Sequence, residues 1–358
     1  MNAAGDGARR GLEELLRTNG GITPGFPLPR LTQALFEKLI RRIESIRLFA
    51  HPYAFIHNLT YGSLRPVDVA KFASRQGLSG LCMHVRDGGR HGLSHMSAAE
   101  LAGFRARVEE FGLALHLEVS STARPEIDRV VELALALGAR NIRVYSRYAG
   151  RLSEVLEQTY QDLGYLRDRA VAHDLHFDFE QHEDLKSHEI AALLRRVNHP
   201  RINALFDFAN MLNAHEAPLD ALRALRPHIR QVHLKGARWL DEQGGYAQLG
   251  VVQGGPEDDL PAPRMLFELL LLGDEAPQVL CFALEQEVGY YAPPFRRHGE
   301  PDDCFIRYRE PSETPLDRGV TLARHLLDER HWAVDQVSYV RGLLGRLRFL
   351  AEGALASE

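Results

Sequence analysis

"FDFEQHEDLKSHEI", Phe177 to Ile190, begins like a buried strand and ends like the opening of a helix. Between the two stand Glu180, His182, Glu183, Asp184 and Lys186. A carboxylate at the tip of an apolar strand, with a histidine two residues on, marks a strand-to-helix junction. It becomes a candidate site only if other strand ends carry chemistry to the same place.

Seven further aliphatic runs read as strands: Arg47–His51, Leu78–His84, Leu113–Val119, Asn141–Tyr145, Ile202–Asp207, Arg230–Lys235 and Gln278–Glu285. With Leu175–Glu180 they make eight, each separated by room for a helix. Helix signals fill the gaps. "RPVDVAKFASRQG" stops at Gly77, "PEIDRVVELALALG" runs from Pro125 to Gly138, and Ser97 with Glu100 three residues on forms a capping box. Regular alternation requires a parallel sheet, because parallel neighbours need crossover connections. Eight such units imply a closed (β/α)8 barrel of the α/β class. A doubly wound open sheet is the rival, but no glycine-rich phosphate loop follows the first strand.

Residues 1–45 read as an N-terminal helical extension, with "LTQALFEKLIRRIESI" strongly amphipathic, and 46–358 as the barrel. Two connections are long: Gly236–Pro263 after the seventh strand, polar and glycine-rich, and Gln286–Leu316 after the eighth, containing "VGYYAPPFRRHGEPDD". Both leave the barrel at the end where active sites sit.

The composition fits a soluble globular protein, with 358 residues, 45% hydrophobic and 25% charged. A net charge of −5 provides no global field for nucleic acid. Cys82, Cys281 and Cys304 have the spacing of neither a disulfide framework nor a zinc–thiolate site, so a cytoplasmic location is expected. No secretory signal is visible, and "MLFELLLLG" (Met265–Gly273) is too short for a membrane span.

The fifth strand ends in Glu180, the sixth in Asp207 and the eighth in Glu285, while the seventh carries His233. Three carboxylates and an imidazole on one rim ask for a cation. Oxygen-rich ligation with one nitrogen suits Mn²⁺, Mg²⁺ or Co²⁺ better than a structural zinc. Singly, each group also reads as a helix cap, a surface ion pair or a hydrogen-bonded core histidine. Glu287 lies two residues beyond Glu285 and could face the same way. Glu183 and Asp184 read as solvated or capping groups. His116 and Glu118 share a strand face and read equally as a structural pair or as part of the site.

These segments resemble the xylose isomerase-like TIM barrels, the sugar phosphate isomerase/epimerase group, from about Arg47 to Gly345. "FEQHEDLKSHEI" is similar to that family's Glu-Asn-His-x-Asp pattern, with Gln181 in place of Asn. "LFDFANMLNAHEAPLDALRALRPHIRQVHLKGA" resembles its sixth and seventh strand region, "QLGVVQGG" its Leu-Gly-x-Gly loop, and "ALEQE" completes the set. The resemblance implies that Glu180, Asp207, His233 and Glu285 bind one divalent metal, and that His182 and Lys235 contact substrate. Asn210 stands where the ketose 3-epimerases have histidine, and Trp239 near where they have arginine.

A metal chelated by a carbonyl and an adjacent hydroxyl stabilises an enediolate, and Glu180 and Glu285 could move protons on its two faces. The expected activity is therefore isomerisation or epimerisation of a keto-sugar. The alternative is a decarboxylase or lyase using the same enolate on a 3-oxo sugar acid. Tyr290 or Tyr291 could stack on a sugar, and Arg296 or Arg297 could bind an anionic group or merely decorate the surface. Arg86, Arg90, His51 and His84 also follow strands toward the mouth. An endonuclease-like enzyme would need more metal-binding histidines and a basic groove; a degenerate sugar-binding barrel would need none of this chemistry. The expected partner is a small carbohydrate, with no nucleic acid or membrane. The two terminal amphipathic segments could close the barrel base or pair two subunits.

Overall fold

A computed structural model describes residues 3–17, 27–308 and 320–356. Part of the expected N-terminal extension (1–2 and 18–26) and the end of the expected loop after the eighth strand (309–316) lie outside the described residues.

Eight parallel strands close into a barrel. They are β1 (Leu48–Ala50), β2 (Gly80–His84), β3 (Ala114–Val119), β4 (Asn141–Val144), β5 (His176–Glu180), β6 (Ile202–Asp207), β7 (Ile229–Leu234) and β8 (Cys281–Leu284). Strand β8 returns to β1 in the register Leu48↔Phe282, Phe49↔Ala283 and Ala50↔Leu284, which eliminates the open-sheet alternative. All eight expected runs are strands, with ends that differ from the expected ones by at most three residues. The helix signals also act as read. Ser97 caps the helix Ala98–Glu110 through a reciprocal bond with Glu100. Gly77 and Gly138 take left-handed φ values of 59° and 72° just past their helices, where a Cβ would be strained.

The barrel has two kinds of inner surface. Phe177, Phe179 and Phe206 point outward into the main apolar core beneath the helices. The lumen holds a small separate apolar cluster, Phe49, Cys82, Cys281 and Ala283, among buried polar groups.

One connection differs from its reading. The stretch after β7 is not an irregular loop but an antiparallel hairpin, Gly236–Glu242 with Gly245–Val251. Gln243 and Gly244 form its two-residue turn at φ 53° and 77°, the paired positive values that match the twist of a hairpin. Tyr291 and Ala292, from the connection after β8, add a third strand. The two long connections are therefore one sheet.

Helices Ala3–Arg17 and Gln33–Ser45 pack along the long C-terminal helix Leu322–Leu355. Thr32 caps the second of them, which buries Phe36, Leu39 and Arg42. Arg42 donates to the carbonyls of Asp274 (2.8 Å), Glu275 (3.1 Å) and Ala276 (2.7 Å), in the turn that enters β8 from the barrel base. The amphipathic stripe thus finds its partner within the chain. No described helix is long and apolar enough to cross a membrane. Phe36 is fully buried in this seam, so Phe36→Ala is expected to cost about 3–5 kcal/mol of stability in urea unfolding. A loss below about 1 kcal/mol would mean that the helix is not anchored as described.

Candidate metal centre

Strand pleating selects every second residue for the lumen, and at the C-terminal end those residues are ionisable. His233 on β7 is central to them. Its Nδ1 lies 3.3 Å from Glu180 Oε1, 3.2 Å from Glu285 Oε2 and 3.9 Å from Asp207 Oδ2. Its Nε2 lies 3.1 Å from Glu118 Oε1 on β3. Glu118 also receives His51 Nε2 at 3.0 Å and Arg143 Nη2 at 2.7 Å. The Tyr53 amide donates to His51 Nδ1 (3.1 Å), which places the His51 proton on Nε2, toward Glu118. Asp207 is oriented from the backbone: its Oδ1 accepts from the amides of Ala209 and Asn210, both at 2.8 Å, and Oδ2 is left facing the centre.

Glu180 Oε2, Asp207 Oδ2, His233 Nδ1 and Glu285 Oε2 are buried and have no hydrogen-bond partner among the described residues. Lys235 approaches two of them, at 3.0 Å from Asp207 Oδ2 and 2.9 Å from Glu285 Oε2, but its hydrogen bond goes to Glu287 Oε1 at 2.8 Å. Five buried carboxylates, Glu118, Glu180, Asp207, Glu285 and Glu287, thus face two permanent cations, Arg143 and Lys235. Three oxygens and one imidazole nitrogen left without hydrogen bonds, on a surplus of negative charge, fit the donor set of a divalent cation. The carboxylate on the far nitrogen of His233 is the support that metal-binding histidines receive.

The electrostatics follow from burial set against this crowding. Burial pushes Glu118 up, but Arg143, His51 and His233 outweigh it and hold the carboxyl well below its usual range. Burial likewise opposes His233 and Lys235, yet the surrounding carboxylates hold both well above their ordinary values. Glu287 is pushed up to about 8 by burial, with Lys235 opposing and the charges of Glu285 and Asp207 adding to the rise.

The remaining expected residues divide by position. Asn210 lies in the centre, with Nδ2 3.4 Å from Glu180 Oε1 and its own oxygen accepting from Gln248 on the hairpin at 3.3 Å. Glu285 faces His233, His51 and Lys235, whereas Glu287 faces Lys235. His182 sits at the rim, stacked on Tyr145 with ring centroids 3.8 Å apart. Tyr290 is buried and donates its hydroxyl to Glu183. Glu183 is therefore a buried acceptor rather than a solvated group. Arg296, expected at the substrate, is instead paired with Glu189 through two bonds (3.0 and 3.1 Å) and with Glu300 at 2.6 Å. It fastens the connection after β8 to the helix Ser187–Val197. Arg86 and Arg90 are exposed, and Arg86 pairs with Glu126.

Two residues escaped the sequence reading. Arg143 was hidden in an apolar strand, although alternation with Ile142 and Val144 already placed it in the lumen. Gln248 reaches the site only because its segment is a hairpin, for which the turn pair Gln243–Gly244 was the available signal.

Comparison with known proteins places this geometry. The uncharacterized protein YihM of Escherichia coli K12 is 40% identical over 311 residues, spanning 87% of this chain and 95% of that one. The 3-oxo-isoapionate decarboxylase of Pectobacterium atrosepticum is 22% identical over 161 residues, 44% of this chain and 58% of that protein. In fold, a D-psicose 3-epimerase solved in the presence of D-fructose superposes with a TM-score of 0.56 at 13% identity, over 84% of this chain and 100% of that one. A xylose isomerase domain-containing protein from Salmonella typhimurium LT2 gives 0.53 at 14% identity, over 67% and 89%. Residues 70–262, more than half of the sequence, match one family as a whole, and the chain belongs to the xylose isomerase-like TIM barrels.

Proposed function

We propose that the chain is a divalent-metal-dependent isomerase or epimerase acting on a keto-sugar or sugar derivative. The observation that carries the reading is the approach of Glu180, Asp207 and Glu285 to one buried nitrogen of His233, which Glu118 holds from behind. A bound Mn²⁺, Mg²⁺ or Co²⁺ would polarise the substrate carbonyl and stabilise negative charge as an α-proton leaves. Glu180 and Glu285 both approach His233 Nδ1, at 3.3 and 3.2 Å, and would carry the proton to and from carbon. Arg143, 3.2 Å from Glu180 Oε2, keeps that carboxylate in place. Lys235, held by Glu287, supplies a donor to a developing oxyanion. Asn210 and His182 would bind substrate hydroxyls. The buried, polar lining suits a small carbohydrate substrate.

A second reading, decarboxylation of a 3-oxo sugar acid, is favoured by a cleft beside His182. Arg147 and Arg307 line it together with Glu183 and Asp184, and its two guanidiniums would pair with a substrate carboxylate. The decarboxylase among the relatives supports this reading as well.

Metal content tests the centre directly. Wild type purified without chelator is expected to carry about one divalent ion at this centre, absent from Asp207→Ala. No ion there in either protein after Mn²⁺ addition would remove the enzyme assignment. Glu118→Gln is expected to weaken metal affinity roughly 10–100-fold in calorimetric titration while leaving every direct ligand in place. An unchanged affinity would deny Glu118 its positioning role. Glu285→Gln is expected to abolish solvent deuterium exchange into a ketose panel; full exchange in that variant rules Glu285 out as a base. CO₂ release from 3-oxo sugar acids, with no exchange into ketoses, would select the second reading.

A further inference from the structure

Toward the barrel base from the metal centre, two residues before Glu118 and His233 and four before Glu285, the lumen holds a different set of donors. Cys82 on β2 sits in register with His116 on β3, and Cys281 on β8 with Gln231 on β7. All four are buried. Barrel closure thus brings together two cysteines from opposite parts of the chain, which linear spacing could not reveal. The sulfur and nitrogen donors of Cys82, His116 and Cys281 lie within 4.8 Å of one another.

We propose that Cys82, His116, Cys281 and the amide oxygen of Gln231 form a second, closed metal site for Zn²⁺, distinct from the oxygen-rich centre above it. Cys281 Sγ is 3.5 Å from His116 Nδ1. A tetrahedral zinc with bonds of about 2.3 Å to sulfur and about 2.0 Å to nitrogen has a sulfur–nitrogen edge of roughly 3.5 Å. Gln231 Oε1 lies 3.2 Å from Cys281 Sγ and 3.0 Å from His116 Nδ1, over the same face. Asp178 determines which end of that amide faces the cluster: it takes the Gln231 Nε2 proton and leaves the oxygen turned inward. Asn141 Nδ2 lies 3.2 Å from His116 Nε2, and turning that amide over would let its oxygen accept the ring's remaining proton once Nδ1 holds the metal. Phe49 and Ala283 complete a dry wall around the donors.

The chemistry separates the two levels. Thiolates and imidazole select zinc, whereas the carboxylate-rich layer selects harder ions. Four protein donors leave no open position, so the lower site ties β2, β3, β7 and β8 together and does not bind substrate.

Cobalt replacement tests the site, with the full chain refolded in Co²⁺ and its fold checked by circular dichroism. The expected result is a thiolate-to-cobalt charge-transfer band with the intense visible absorption of tetrahedral Co²⁺. The band should persist in Asp207→Ala, which disables only the upper centre, and be lost in Cys82→Ser and Cys281→Ser. Zinc counted after native purification should follow the same pattern. A folded wild type without the band overturns the proposal and leaves a hydrogen-bonded network at this level, whether or not any variant folds. A band unchanged in both serine variants overturns it equally.

Discussion

Glu118 is the charge on which the mouth of the barrel depends. It is fully buried, and it receives Arg143 from β4, His233 from β7 and His51 from just past the end of β1. An isolated carboxylate at that depth would be prohibitive; three donors make it a fixed negative post. Each donor then carries its constraint onward. His233 is held with its second nitrogen toward Glu180, Asp207 and Glu285, and Arg143 reaches across to Glu180. Preorganisation here is electrostatic: the directions of the ligands are set by charges behind them before anything binds.

The strand ends were legible in the sequence because two facts coincide there. Parallel strands in this fold read as short aliphatic runs, and a charged residue ending such a run is conspicuous. Glu180, Asp207 and Glu285 could be picked out on that ground. Arg143 was equally buried but lay within a strand, where a charge reads as composition until alternation assigns it a face. Arg296 misled in the opposite sense, because a loop arginine near a mouth looks free until its partner is known, and Glu189 lies over a hundred residues away. The hairpin after β7 was masked by its glycines, which suggest irregular chain although Gly244 there makes the tight turn. Cys82 and Cys281 meet only through closure of the barrel, a relation that linear spacing does not contain.

Function in this architecture is layered along the barrel axis. Polar groups in the lumen are costly, and hydrogen bonds link them within each level: His116, Gln231, Asp178 and Cys281 below, Glu118, His51, Arg143 and His233 above. The connections above the mouth are tied to one another in the same manner. The sheet formed by 236–251 with Tyr291 and Ala292, and the Arg296 clamp on Glu189, make two distant segments of chain one body. Gln248 extends from that body to Asn210, so the cover and the centre share a hydrogen bond.

The seam between the terminal helices has a consequence for synthesis on the ribosome. Gly11 and Gly353 allow the helices Ala3–Arg17 and Leu322–Leu355 to approach closely, against Leu350 and Ala8 respectively. Leu12, Leu15 and Leu16 are buried in this described arrangement. The helix Ala3–Arg17 therefore presents an apolar face whose partner, Leu322–Leu355, is translated only after all eight barrel strands. Until then that face is a natural holding point for a chaperone, and the barrel cannot be finished domain-first.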